Sequence, residues 1–229
     1  MSGKEVVSIS VEFKVRQDCG SEGPERIVPL LDGSIIGRDQ DGEDVGKIGV
    51  IQAHLVCVGR CLDENESLYS AMDSVDDELL AAYATLFPPE DEGDEYWSRG
   101  VLDIYGIDVA PGDLLYIRKV KVEDPHRGKG FGAQALRETM ATFAHGPGGL
   151  VALTSFPLQW SGYTAPDHPL RQQTDWEAKR KADFAKLAAY WQKLGFRNVA
   201  DSDVYVFNPA LKDQPAVPHG AARSRRRRR

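Results

Sequence analysis

Residues 114–140 read LLYIRKVKVEDPHRGKGFGAQALRETM. The stretch has three parts. Leu114–Val122 is apolar and β-branched enough to be a strand, Glu123-Asp124-Pro125-His126 is a polar turn, and Phe131, Ala135, Leu136, Met140 and Phe143 then recur at helical spacing toward Gly146. Between turn and helix stands Arg127-Gly128-Lys129-Gly130-Phe131-Gly132. Packing alone does not call for three glycines in five positions, whereas glycine permits unusual backbone angles and lets a ligand approach the main chain. The first N–H groups of a helix and its positive dipole end suit phosphate oxygens. Arg127 and Lys129 add charge at the rim. The alternative is a tight strand-to-helix turn that binds nothing.

Spacing narrows the phosphate ligand. The segment is not G-x-x-x-x-G-K-[ST], and no Ser or Thr follows Lys129, which excludes a P-loop. Gly128-x-Gly130-x-x-Ala133 formally fits a dinucleotide fingerprint. Five residues nevertheless separate Val122 from the first glycine, and the following strand ends at Thr154-Ser155 without a ribose-binding acid, so a Rossmann dehydrogenase is rejected.

The chain resembles the GNAT superfamily of acyl-CoA-dependent N-acyltransferases. That family's pattern R/Q-x-x-G-x-G/A, after a strand and opening a helix, is met by Arg127, Gly130 and Gly132. Tyr190-Trp191-Gln192-Lys193-Leu194-Gly195-Phe196 resembles its second signature, a helix running into Leu-Gly-Phe before a closing strand. The resemblance is clearest over 113–207. It implies a mixed α/β fold, with a central splayed β-sheet flanked by helices, in one N-acetyltransferase domain over 1–208, and it implies acetyl-CoA as cosubstrate. The pyrophosphate would rest on the loop Arg127, Gly128, Lys129, Gly130, Phe131 and Gly132. The pantetheine arm would pair with the main chain of Val120, Lys121 and Val122, as an added strand pairs with an exposed edge.

The reaction so implied is direct attack of a primary amine on the thioester in a ternary complex. It needs a deprotonated amine, a stabilised oxyanion and a proton for the departing thiolate. Glu123 and the acidic run Asp91–Glu95 are candidate bases, each with a plain alternative as a surface carboxylate, and His126 reads better as a turn residue. Many members of the family use a Tyr four residues before the second-signature Gly as the acid; here that place is Trp191, and indole N–H only donates hydrogen bonds. Tyr190 lies about 100° around the helix from it and is the candidate acid, with Tyr116 and Tyr163 as weaker alternatives. The departure at Trp191 leaves a second reading open, a sensor or regulatory module of the same fold that binds acyl-CoA without turnover.

Working outward, Val7–Val15 alternates as a strand. Arg26–Ile36 reads as a strand interrupted by Pro29 and the Asp32-Gly33 turn signal, and Gly46–Val58 as another. Leu68, Met72, Val75, Leu79, Tyr83 and Leu86 predict one amphipathic helix, Leu150–Phe156 a short strand, 157–175 a loop, Glu177–Leu194 a helix and Val204–Phe207 a closing strand. With 229 residues, 41% hydrophobic and 28% charged, the composition is globular and excludes collagen, coiled coil and wholesale disorder.

The net charge of −7 hides an asymmetry. Six arginines stand in the last seven residues, leaving 22 cationic against 35 acidic side chains, or −13, in the rest. Residues 61–98 hold twelve acids and no Lys or Arg, either a solvated face or a funnel for cationic substrates. Residues 209–229 read as a disordered tail, through whose arginines alone nucleic acid could be bound. No stretch reads as a membrane span, the opening residues do not read as a signal segment, and the three cysteines read as reduced thiols, so the expected location is cytoplasmic. Cys57-x3-Cys61 and the five scattered histidines show no metal spacing, and no metal is expected. The acceptor, a small-molecule or protein amine, and the oligomeric state are not encoded in any motif.

Overall fold

A computed structural model describes residues 5–17, 23–88, 97–105, 112–144, 149–161, 169 and 174–211. Three strands open the chain, β1 (Ser8–Arg16), β2 (Leu30–Arg38) and β3 (Asp44–Val56). Four short helices follow, α1 (Val58–Glu64), α2 (Leu68–Asp73), α3 (Asp77–Leu86) and α4 (Arg99–Tyr105). Then come β4 (Leu114–Val122), α5 (Phe131–Phe143), β5 (Leu150–Thr154), α6 (Trp176–Lys193), β6 (Arg197–Asn198) and β7 (Val204–Phe207). The strands form one sheet in the order β1-β2-β3-β4-β5-β7-β6. Every pairing is antiparallel except β4 with β5. The result is a mixed α/β fold with a splayed central sheet flanked by helices.

Alternation along the strands feeds a core on each side of the sheet. Leu114, Tyr116, Leu150 and Ala152 pack with Met72, Leu79, Leu86, Trp97 and Val101 of the α1–α4 layer. Leu115, Ile117, Val151 and Leu153 point the other way, to Phe131, Ala135 and Leu136 of α5, where Ala188, Trp191 and Leu194 of α6 are half-buried.

The helix expected over 67–86 is two. Ser67 and Asp76 both act as N-caps, accepting from the N–H of Ser70 (3.1 Å) and Leu79 (2.9 Å), and Asp76 is extended, so the chain restarts a helix there. The apolar spacing persists across the break because Met72 and Leu79 enter the same core. The expected interruption at Asp32-Gly33 is also absent, since β2 runs through it. Gly33 serves close packing instead, as a Cβ there would stand 2.5 Å from Ile51 Cγ2 and 2.8 Å from Phe13 Cε1. The strand expected over 150–156 ends at Thr154. Helices α1 and α4 and the two-residue β6 were not anticipated. No side-chain hydrogen bond caps α1; burial raises the pKa of Asp113, just before β4, and the nearby N–H groups of Val58 and Gly59 at the start of α1 oppose that rise.

One irregularity shapes the centre of the sheet. Ala53 faces Ile117 and Gln52 faces Lys119, leaving Arg118 with no partner in β3. This β-bulge bends β4 and flips the parity of its side chains, so that Val120 and Val122 lie on the same face as Leu115 and Ile117. Pairing with β5 stops at the same point, the last pair being Ile117 with Leu153. Beyond it the two parallel strands part, and among the described residues the edge of β4 over 118–122 has no strand partner on that side.

Candidate functional site

The unpaired edge of β4 leads into the glycine-rich loop. Asp124–His126 is a 3-10 turn, and Gly128 and Gly130 take φ of +77° and +83°, angles that L side chains rarely adopt. Gln134 is the first residue of α5 whose N–H finds a helical acceptor, the Gly130 carbonyl at 3.0 Å. The N–H groups just before it lack intrahelical partners by helix geometry and sit at the dipole's positive end. A Cβ at Gly128 or Gly130 would meet nothing within 4 Å, so the cradle is open. Phe131 is buried in the α5 core and offers the site only its backbone. Arg127 does more than line the rim: its Nε donates to the Val122 carbonyl at 2.9 Å and its guanidinium pairs with Asp124 at 2.5 Å, tying the loop to the end of β4. Lys129 is exposed and, among the described residues, makes no ion pair.

Where β4 and β5 part, polar groups gather on the α1–α4 side. Tyr116 O–H donates to Glu78 Oε1 at 2.8 Å. With its proton so used, Tyr116 accepts from the Thr154 hydroxyl, also at 2.8 Å. Arg118, the bulge residue, pairs with Asp76 at 3.0 Å and reaches Glu78 at 3.8 Å. Burial and then the Glu78 carboxylate push the Tyr116 phenol far above the usual tyrosine range, so it stays protonated. His54 faces Tyr116 across the ladder and is 3% exposed. Burial lowers its pKa, opposed by Asp76.

The molecule has distant likenesses among solved structures. It is similar to the crystal structure of Arabidopsis thaliana NAA60 in complex with acetyl-CoA, with a TM-score of 0.34 and 12% identity, covering 78% of this chain and 76% of that one. A second likeness is to the Arabidopsis thaliana NAA60 structure in complex with a bisubstrate analogue, with TM-score 0.34 and 13% identity, over 78% and 74% of the two chains. No family model and no curated protein matches the sequence.

The residues named from sequence fall at different depths of this site. Val120 and Val122 lie beside Gly132, 3.7 and 3.6 Å from where its Cβ would stand, and the Tyr190 hydroxyl is 4.0 Å from the same point. Tyr190 thus faces the loop end of the open edge, its phenol pushed up by burial. Trp191 turns inward against Phe196, centroids 5.9 Å apart, and its buried Nε1 has no hydrogen-bond partner. Glu123 is exposed at the loop end of β4, roughly 20 Å along the strand from Tyr116. Sequence reasoning missed Glu78, Thr154 and His54. Glu78 is masked by an acidic run and His54 by a lack of ligand spacing. The break in parity between Ile117 and Val120 is the signal that would have located the fork. Tyr163, the acidic loop 91–95 and the arginine tail lie outside the described residues. Among those described, no group of three or more His, Cys, Asp or Glu could hold a metal, and no helix is long and apolar enough to cross a membrane. Cys57 and Cys61 are free thiols, Cys61 pushed up to about 11 by burial.

Proposed function

We propose that the chain is an N-acetyltransferase that moves the acetyl group of acetyl-CoA to a primary amine in a ternary complex. The observation that carries this reading is the continuity of the unpaired β4 edge with a loop of unpartnered amides at a helix N-terminus, an arrangement suited to an extended amide-bearing arm that ends in a diphosphate. In it, the backbone from Gly128 to Gly132 binds the diphosphate, with Lys129 supplying charge and Arg127 holding the loop in shape. Val120, Lys121 and Val122 pair with the arm, and Tyr190 lies alongside it. The thioester then lies near the fork, beside the hydroxyls of Tyr116 and Thr154. On this reading Tyr116 is the nearer candidate to the reacting atoms, ahead of Glu123 and Tyr190. The amine nitrogen bonds to the carbonyl carbon, the C–S bond breaks, and the thiolate takes the proton that the new amide nitrogen sheds.

Calorimetric titration of acetyl-CoA into wild type and Gly132→Glu tests the cosubstrate site. Gly132 has room for a Cβ and no positive φ, so this substitution crowds the ligand rather than straining the fold. Micromolar binding to wild type, lost in the variant, is the expected result; no binding to wild type overturns the reading. Thiol release with a panel of polyamines, amino acids, aminoglycosides and peptides then identifies the acceptor. Binding without turnover across that panel would favour the sensor, to which the inward-packed Trp191 at the usual acid position also points.

A further inference from the structure

The sheet has two unlike edges. One is β6, two residues long, and the other is β1, which runs nine residues from Ser8 to Arg16 and pairs with β2 throughout. Among the described residues no strand lies along the outer side of β1. Such an edge offers a row of backbone donors and acceptors to another strand, and folds commonly blunt it with proline, a bulge or repelling charge. β1 holds no proline, and its register with β2 is unbroken. Its exposed charges are of mixed sign: Arg16 pairs with Asp32 of β2 at 2.7 Å, whereas Glu12 and Lys14 make no ion pair among the described residues. The opposite face of β1 is apolar and incompletely covered. Val11 and Phe13 are half-buried on the α5 side, where Phe13 meets Phe143 edge to face with centroids 4.8 Å apart, and Val15 is 58% exposed.

Parity decides which partner fits. A second copy of the chain can lay its own β1 antiparallel to the first across a two-fold axis perpendicular to the sheet. That axis keeps every side chain on its own face, so odd residues must pair with odd and even with even. Centring the pair on Glu12 opposes two glutamates, centring on Lys14 opposes two lysines, and centring on Val15 sets Lys14 against Arg16, all unfavourable. Centring on Val11 leaves Glu12 facing Ser10 and Lys14 facing Ser8. Centring on Phe13 sets Glu12 opposite Lys14, twice by symmetry, and Val11 opposite Val15, with the two Phe13 residues on the axis and Ser10 facing Arg16. Only this register satisfies both the charged face and the apolar one.

We propose that two copies of this chain join edge to edge through β1, with Phe13 of each on the two-fold axis, into one continuous sheet. The partner's Val11 then covers the exposed Val15, and the unpaired Glu12 and Lys14 find each other across the interface. The open edge of β4 is left untouched, since β2 and β3 stand between it and β1. The dimer is therefore independent of the acetyltransferase reading.

Sedimentation equilibrium of the full chain tests it with two charge reversals at exposed positions. Wild type should be a dimer in the micromolar range. Glu12→Lys sets like charges opposite each other at two places, as does Lys14→Glu, and each alone should weaken dimerisation by roughly tenfold or more. An equal mixture of the two variants presents opposite charges at both places and should form a heterodimer, and the double reversal Glu12→Lys/Lys14→Glu should self-associate as wild type does. A wild type still monomeric at about 100 μM overturns the proposal. So does a dimer that neither single reversal weakens, or a pair of monomeric variants that do not recombine. Should a variant not fold, amide exchange in the wild-type chain decides the matter: the outward amides of β1 should exchange more slowly as concentration rises through the dimer transition, and exchange there that is independent of concentration overturns the proposal.

Discussion

His54 affects stability whatever the reaction. Burial holds its folded pKa below that of the unfolded chain, where a free imidazole titrates near about 6.5. Below that pH the unfolded state binds more protons than the folded state, so stability rises with pH between the folded and unfolded values and levels off above them. Acidification from about pH 7 to about pH 5 should therefore lower the melting temperature of wild type more than that of His54→Gln, as followed by circular dichroism. Parallel curves would mean that His54 does not drive acid unfolding. Residue by residue, the sequence was informative where the candidate site makes backbone demands: Gly128 and Gly130 need positive φ, and no other residue supplies it cheaply. It was silent where the candidate site is made by side-chain meetings. Tyr116, Glu78 and Thr154 lie 38 positions apart in two steps and are joined only once the sheet has formed.

Helices and strands were legible in proportion to their periodicity. α5 and α6 announce themselves through apolar spacing, and β1 through alternation. α1 was hidden because a seven-residue helix has too few turns to show a period, and because its N-cap, Cys57, makes no capping bond. The carboxylate nearest its start is Asp113, distant in sequence, so no local motif marks it. Replacing Asp113 with Ala removes the negative charge nearest the N–H groups of Val58 and Gly59 and should lower unfolding free energy by roughly 0.5 kcal/mol. Asn, which keeps an acceptor oxygen, should recover part of that loss in urea denaturation. No difference between Ala and wild type would show that α1 holds by burial of Val58 and Cys61 alone. The split of 67–86 into α2 and α3 carries the complementary lesson. Cap residues can override an unbroken apolar pattern, since Asp76 bonds to Leu79 N–H instead of continuing the helix.

Across the whole molecule, the two cores share their strands. Leu114 and Leu115, or Leu150 and Val151, are chain neighbours that serve opposite sides of the sheet. Neither layer can separate without exposing the apolar strand face that it covers. Thermal unfolding should then be a single transition, with tryptophan fluorescence, which reports Trp97 on one side and Trp191 on the other, coinciding with far-ultraviolet circular dichroism. Two resolved transitions would make the α1–α4 layer an independent unit. The bulge at Arg118 also divides β4 into two stretches with different neighbours: residues 114–117 are flanked by strands on both sides, and 118–122 on one only. Isotope exchange at backbone amides should record that division. In the first stretch protection is fixed by the sheet. In the second, the amides that point into the gap exchange freely until something lies along them, so one strand carries both an internal reference and an occupancy gauge.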